Sequence, residues 1–344
     1  MKTVCFFNNK GGVGKTTLVC NIAANFVKQF KKRVLLIDGD PQCNSTQLVL
    51  GDDSVESLYL PEGKNHNKNT ILDAISPIQD GDSAINLNIA PFPGAENRFG
   101  LDIIPGHPRF SVIEDILSQA WHDAIGGNVG GIRKTNWCSM LCKSFENHYD
   151  IIFIDLGPSL GSINRSVLLG ADFFITPMGC DIYSIVGIRN IAGWLNEWIN
   201  LYEKGVELCD QRYQGRLNDY DVEHKVIIAH GYAGYTLQQY IAKSKEGVRR
   251  PTRAFENILK NVPTEIHDHL GNFFAKKVNI DTAKLGDVPH MYSLVPLAQS
   301  VNAPVASLSS ADGIVGSQYK QAEDYAKLLD ALSEGIAKNI GTEI

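Results

Sequence analysis

The sequence predicts an α/β fold: a doubly wound, mostly parallel sheet with helices on both faces and helical insertions between its core elements. Three observations carry that prediction. Short apolar runs alternate with helix-patterned segments along the chain. Runs such as 34–38 and 151–155 lack polar alternation, as strands buried on both faces do. The first run leads through a glycine-rich segment into a helix, an arrangement suited to holding an anion.

Taken in order, residues 3–8 form the first expected strand. An amphipathic helix over 16–30 follows, with Val19, Ile22, Ala23 and Phe26 on one side. Lys31, Lys32 and Arg33 suit its C-terminal end. Further strands are expected at 34–38, 87–90, 101–104, 151–155, 173–177, 225–229 and 292–295. Residues 51–69 are polar and turn-rich and read as a surface loop. The stretches 203–223 and 231–289 hold more chain than a crossover helix needs. The second is expected to be a helical insertion, with a small subdomain over 237–277. The glycine-rich stretch 126–131 lacks a following Lys-Ser/Thr and reads as a flexible connector. The last helix, 317–339, places Tyr319, Ala322, Leu329, Leu332 and Ile336 on one side. It is not markedly basic, so it is expected to pack on the sheet rather than on a membrane.

The 344 residues hold enough chain for one large α/β domain or two small ones, and 44% hydrophobic with 20% charged residues is ordinary globular composition. No apolar run has the length of a membrane span, and Met1-Lys2-Thr3 leads straight into a strand, so neither membrane insertion nor a signal peptide is expected. The seven scattered cysteines suit reduced thiols and a cytoplasmic protein. Cys138 and Cys142 share a helical face and read as small buried residues rather than metal ligands. A net charge of −6 means that any nucleic-acid contact must come from a local patch.

The most informative segment is Lys10-Gly11-Gly12-Val13-Gly14-Lys15-Thr16-Thr17. Its glycines let successive backbone N–H groups converge on phosphates, and the following helix adds its positive end. Lys15 is spaced to reach β- and γ-phosphates, Thr16 to ligate Mg²⁺, and Thr17 to bond the α-phosphate. The general pattern G-x-x-x-x-G-K-[ST] fails because Asn9 occupies its first glycine position. The segment instead resembles, residue for residue, the deviant form K-G-G-x-G-K-[ST]-[ST] of the ParA, Soj and MinD ATPases. The resemblance implies a P-loop NTPase fold across residues 1–344 as a single ATPase domain, with ATP and Mg²⁺ as cofactors. It also implies a homodimer with ATP sandwiched between subunits, the Lys10 of each crossing to the other's phosphates. There it would neutralise charge as an arginine finger does.

Two acid-bearing strand ends complete the pattern. Asp38 and Asp40, spaced i, i+2, lie on one side of an extended chain. Asp38-Gly39-Asp40-Pro41-Gln42 resembles the D-x-D-P-Q element of ParA and Soj proteins. By that resemblance Asp40 helps position the attacking water and Asp38 supports it near Mg²⁺, while Asn44-Ser45-Thr46 belongs to a first switch. Asp155 ends the hydrophobic run 151–155 as a Walker B acid does, holding Mg²⁺. Leu156-Gly157-Pro158-Ser159-Leu160-Gly161 resembles the second switch, commonly C-P-P-S-L-G, from which Leu156 and Gly157 depart. Leu294-Val295-Pro296 resembles an I-P element beside the adenine pocket, so Pro296 is assigned to the nucleotide. The arginine that usually follows is replaced by Leu297. Asn302 stands where the related S-E-A-P stretch has an acid. Asp181-Ile182-Tyr183 resembles an E-Y-Y stretch facing the dimer.

Three uses of such a switch are weighed. In DNA segregation or positioning, Lys243, Lys245, Arg249, Arg250 and Arg253 would contact nucleic acid non-specifically. A solvated helix face and turn explains the same basic run equally well. A partner-coupled switch would instead position a non-DNA cargo or regulate an associated effector or defence enzyme. Membrane cycling as in MinD lacks its basic terminal helix. A reductase like the nitrogenase iron protein needs paired cluster cysteines, and Cys180 alone lies near the right place. The sequence therefore reads as a ParA/Soj-like dimeric ATPase, slow without a stimulating adaptor and nucleoid-associated when acting on DNA, with the partner-coupled switch as the alternative.

Overall fold

The computed structural model describes residues 1–59, 69–240, 242–245, 248–251 and 253–343; within 239–258 only the backbone is described. Its strands are β1 (Lys2–Phe6), β2 (Val34–Asp38), β3 (Asp102–Ile104), β4 (Ile151–Asp155), β5 (Phe173–Gly179), β6 (Tyr232–Tyr240), β7 (Ala242–Lys245), β8 (Val248–Pro251) and β9 (Lys284–Pro289). Seven of them form one parallel sheet in the order β3-β2-β4-β1-β5-β6-β9, while β7 and β8 pair as a separate antiparallel hairpin. The expected doubly wound parallel sheet is what the chain builds.

Alternate residues of each central strand enter opposite cores. Cys5, Leu35, Ile37, Ile152 and Ile154 pack on one face, and Val4, Phe6, Leu36, Ile151 and Phe153 on the other. All ten are fully or nearly fully buried, which explains why β1, β2 and β4 read as apolar runs without alternation. The helix Lys15–Lys28 covers one face with Leu18, Val19, Ile22 and Phe26. The long helix Gln318–Ile340 packs on that face through Leu329, Leu332 and Ile336. The helices Ile113–Ile125, Ser162–Leu169 and Ile182–Tyr213 cover the other.

Several expectations need correction. Residues 87–90 form no strand: Ile85 and Ile89 are buried and Leu87 is exposed, but the backbone there bonds to Ala74 and to asparagine side chains instead of a neighbouring strand. The apolar run 225–229 ends in a 3₁₀ turn, Ile227–His230, and the strand begins only at Tyr232. Residues 292–295 lead into the helix Leu294–Ser300, and the last strand lies earlier, at β9. The stretch 231–289 is not a helical insertion. It supplies β6 and β9 to the main sheet, joined through the β7–β8 hairpin and the helix Arg253–Leu270. Within 51–69, Asp52–Tyr59 is a helix, and 60–68 lie outside the described residues.

The stretch 126–131 is no flexible connector but a tight corner between Ile113–Ile125 and the helix Val129–Thr135, capped by Asn128. A Cβ at Gly131 would lie 2.5 Å from the Ala124 nitrogen, so only glycine lets the helices approach this closely. Lys243 and Lys245 fall on β7, Arg249 and Arg250 on β8, and Arg253 opens a helix; their side chains lie outside what is described. Among the described residues no helix is long and apolar enough to cross a membrane.

Candidate nucleotide site

The register of the sheet assembles the site. Phe6 of β1 and Asp38 of β2 both pair with Asp155 of β4, so the three strands end level at one edge. The loop after β1, the acid ending β2 and the acid ending β4 therefore meet, at the carboxyl edge where parallel sheets bind ligands.

Gly12 (φ 73°) and Gly14 (φ 77°) take left-handed backbone that side chains resist, and Gly14 caps the helix Lys15–Lys28. The first turn of that helix carries no acid, which leaves its positive end available to an anion. Lys15 is buried at 7% exposure, an expensive place for an ammonium without an anionic partner. Asn8 holds the loop's entry, donating to the Pro177 carbonyl at 2.6 Å and accepting from the Lys10 backbone N–H at 3.1 Å. The loop floors a cavity of about 780 Å³ that Asp40 and Asn302 also line. A second, apolar cavity of about 250 Å³ shares Gly14 and Thr17 with it and is lined by Val288, Tyr292, Pro296 and Tyr325. The sequence-predicted Pro296 thus lies beside a base-sized space, in the first turn of its helix, where a missing N–H is harmless.

The three acids have distinct surroundings. Asp38 is fully buried, and its oxygens are engaged: Oδ1 accepts from the Asp40 N–H (3.2 Å), and Oδ2 from the Thr46 N–H (2.8 Å) and hydroxyl (2.6 Å). Burial, and then the nearby Asp155 charge, push its carboxyl up to about 7. Its bonding makes it an anchor for residues 44–50 rather than an open metal ligand. Asp155 is also fully buried, and burial raises its carboxyl against the opposing Lys15 charge and Ser45 hydroxyl. Ser45 donates to its Oδ2 at 2.6 Å, while Oδ1 is buried with no hydrogen-bond partner among the described residues. An orphaned buried carboxylate oxygen beside a phosphate loop fits a cation such as Mg²⁺. Asp40, 5% exposed, accepts the Gln42 N–H at 3.0 Å and stands at the cavity wall.

Lys10 is paired within its own chain, to the carboxylate of Asp181, which also caps the helix Ile182–Tyr213. Its ammonium lies 5.9 Å from the Tyr183 ring. Around it Ile182, Tyr183 and Val186 are exposed apolar residues. The sequence reading noted the 181–183 stretch but not the pairing, which spans 171 residues of chain.

Fold and site together define a P-loop nucleotide-binding protein of the deviant type. Residues 1–207 match the family model described as an AAA domain. A virulence plasmid ParA family protein of Chlamydia psittaci is 29% identical over 191 residues, 56% of this chain and 62% of the relative. The chromosome partitioning protein ParA of Myxococcus xanthus is 28% identical over 209 residues, 60% of either chain. The match thus spans about three-fifths of these curated relatives' length. A crystal structure of the Corynebacterium diphtheriae protein DIP2308 superposes with a TM-score of 0.72 at 36% identity, covering 88% of this chain and 97% of that one. The fold is shared with a plasmid partition protein of Borrelia burgdorferi bound to AMPPNP (TM-score 0.54, 19% identity, 98% of each chain). The chain belongs to the ParA family of deviant P-loop ATPases.

Proposed function

We propose that this chain is an ATP-dependent dimerising switch that hydrolyses ATP to ADP and phosphate and thereby drives DNA segregation or positioning. The observation that carries the reading is the level sheet edge, where an Asp155 oxygen without a partner among the described residues stands beside a left-handed glycine loop and a buried Lys15. Gly11, Gly12, Val13, Gly14, Lys15 and Thr17 bind the phosphates, and Pro296 borders the base. Thr16 and Asp155 would hold Mg²⁺, with Asp38 in support, and the cation would neutralise the β- and γ-oxygens. Asp40 orients the attacking water. Lys10 leaves Asp181 and reaches the phosphates of the second subunit, whose approach the exposed Ile182, Tyr183 and Val186 would cover.

Lys10→Ala is expected to abolish hydrolysis, by about 10³-fold as for removal of an arginine finger, while the isolated subunit still binds nucleotide. Normal hydrolysis by that variant would refute the two-subunit site. The DNA role draws on the partition functions in the names of the Myxococcus and Borrelia proteins. Retention of the ATP-bound form on non-specific DNA, falling steeply with salt, is the expected result. A flat response or no retention would favour a switch coupled to a protein partner.

A further inference from the structure

We infer that Gly157 is a positioning residue for Asp40: the bare Cα of the segment after β4 is the wall on which that carboxylate rests. The inference builds on the reading of Asp40 as the group that orients water. Gly157 is not among the positive-φ glycines, so conformational freedom is not its use. What it provides is space. A Cβ there would lie 3.0 Å from Asp40 Oδ1, 3.2 Å from Cγ and 3.4 Å from Oδ2, so the carboxyl group lies against the missing side chain.

Neither side of this contact is free to drift. Asp40 is buried at 5% exposure and fixed by the Gln42 N–H. On the other side, Asn164, 1% exposed, donates to the Gly157 carbonyl at 2.8 Å and to the Ser159 carbonyl at 2.7 Å. Asn164 sits on the helix Ser162–Leu169, whose N-terminus has no cap of its own. Glu114 supplies one from another helix, accepting the N–H groups of Ser162 and of Ile163, the latter at 3.1 Å. A Cβ at Gly161 would collide with that carboxylate. Arg165, one turn on, holds the Ser162 hydroxyl at 2.9 Å and lies 4.3 Å from the Trp121 ring. The segment is therefore braced from behind, and a Cβ at 157 would press first on the Asp40 carboxyl.

The segment this stretch resembles, C-P-P-S-L-G, carries proline at the corresponding place. Gly157 thus departs from that pattern at the point where Asp40 lies closest to the segment. Alanine fits the backbone of Gly157 and tests the contact alone.

Gly157→Ala, Asp40→Asn and the double variant are compared with the parent protein by nucleotide affinity and by single-turnover ATP hydrolysis. Gly157→Ala is expected to bind nucleotide within about twofold of the parent and to hydrolyse it about 10- to 100-fold more slowly, the scale of a sub-ångström misplacement. In the Asp40→Asn background the same change should alter the rate by less than about twofold, because the group it acts through is already disabled. Parent-like hydrolysis by Gly157→Ala, loss of nucleotide binding, or a full repeat of its effect in the Asp40→Asn background would each overturn the inference. Parent-like hydrolysis by Asp40→Asn alone would refute the reading of Asp40, and the inference with it.

Discussion

Two segments leave the carboxyl edge of the sheet after β2 and β4, and they are held by different physics. Residues 39–50, after β2, hang on charge: Thr46 is bonded to the Asp38 carboxylate and Ser45 to Asp155, both fully buried. Residues 156–161, after β4, hang on the neutral amide of Asn164, which grips two of their carbonyls from a helix that the Glu114 carboxylate caps. The first segment is therefore tied to the two buried carboxyl groups that end β2 and β4. The second is tied to helix packing, through Arg165 set between Trp121 and Trp198 on two neighbouring helices.

Three substitutions sharpen this contrast. The largest effect is expected at Thr46→Val, which leaves Asp38 Oδ2 short of a donor and the Gly106 N–H (2.8 Å from the hydroxyl) without its acceptor. A loss of about 3 kcal/mol in urea unfolding follows from one buried N–H left unpaired and a buried carboxylate that loses one of the two donors to its Oδ2. A loss under ~1 kcal/mol would show that charge anchoring is not what holds residues 39–50. Asn164→Ala should cost about 2 kcal/mol, and amide exchange should quicken over 157–163 while 44–50 stay protected. Faster exchange in both segments would mean that they move as one body. The smallest change is Arg165→Lys, which keeps the cation but loses planar stacking on Trp121. Burial pulls this guanidinium down to about 10, with Glu114 and Glu197 opposing, so it stays charged near neutrality. A destabilisation of about 1 kcal/mol is expected, read as a lower thermal midpoint with nucleotide affinity unchanged.

The nucleotide edge was legible because its chemistry is local. A strand buried on both faces, a glycine loop and an acid at a strand end each leave marks within a few residues, so β2 and β4 fall at their expected bounds. The far edge was not legible. β9 reads Lys-Leu-Gly-Asp-Val-Pro and pairs on one side only, so its hydrophobicity is weak and proline is tolerated at its end. Apolar runs at 225–229 and 292–295 competed with it, but they lie in turns and a helix, where Val226, Ile228 and Leu294 are buried and Ile227 and Tyr292 are exposed. The bonds that tie the site together were also hidden. Lys10 to Asp181, Ser45 to Asp155 and Glu114 to Ser162 join residues 48 to 171 positions apart, a distance at which spacing carries no signal.

Under the proposed two-subunit site, the pairing of Lys10 with Asp181 bears on when two copies would unite. Both side chains are about one-third exposed, so water already shares the contact and its worth is within about 1 kcal/mol. A tether that slight cannot forbid release, yet it biases each solitary molecule toward keeping its arm folded home. Only a more strongly charged acceptor, such as a triphosphate on a neighbour, outbids a single carboxylate. Loaded molecules would then recruit one another, and empty ones would pass by.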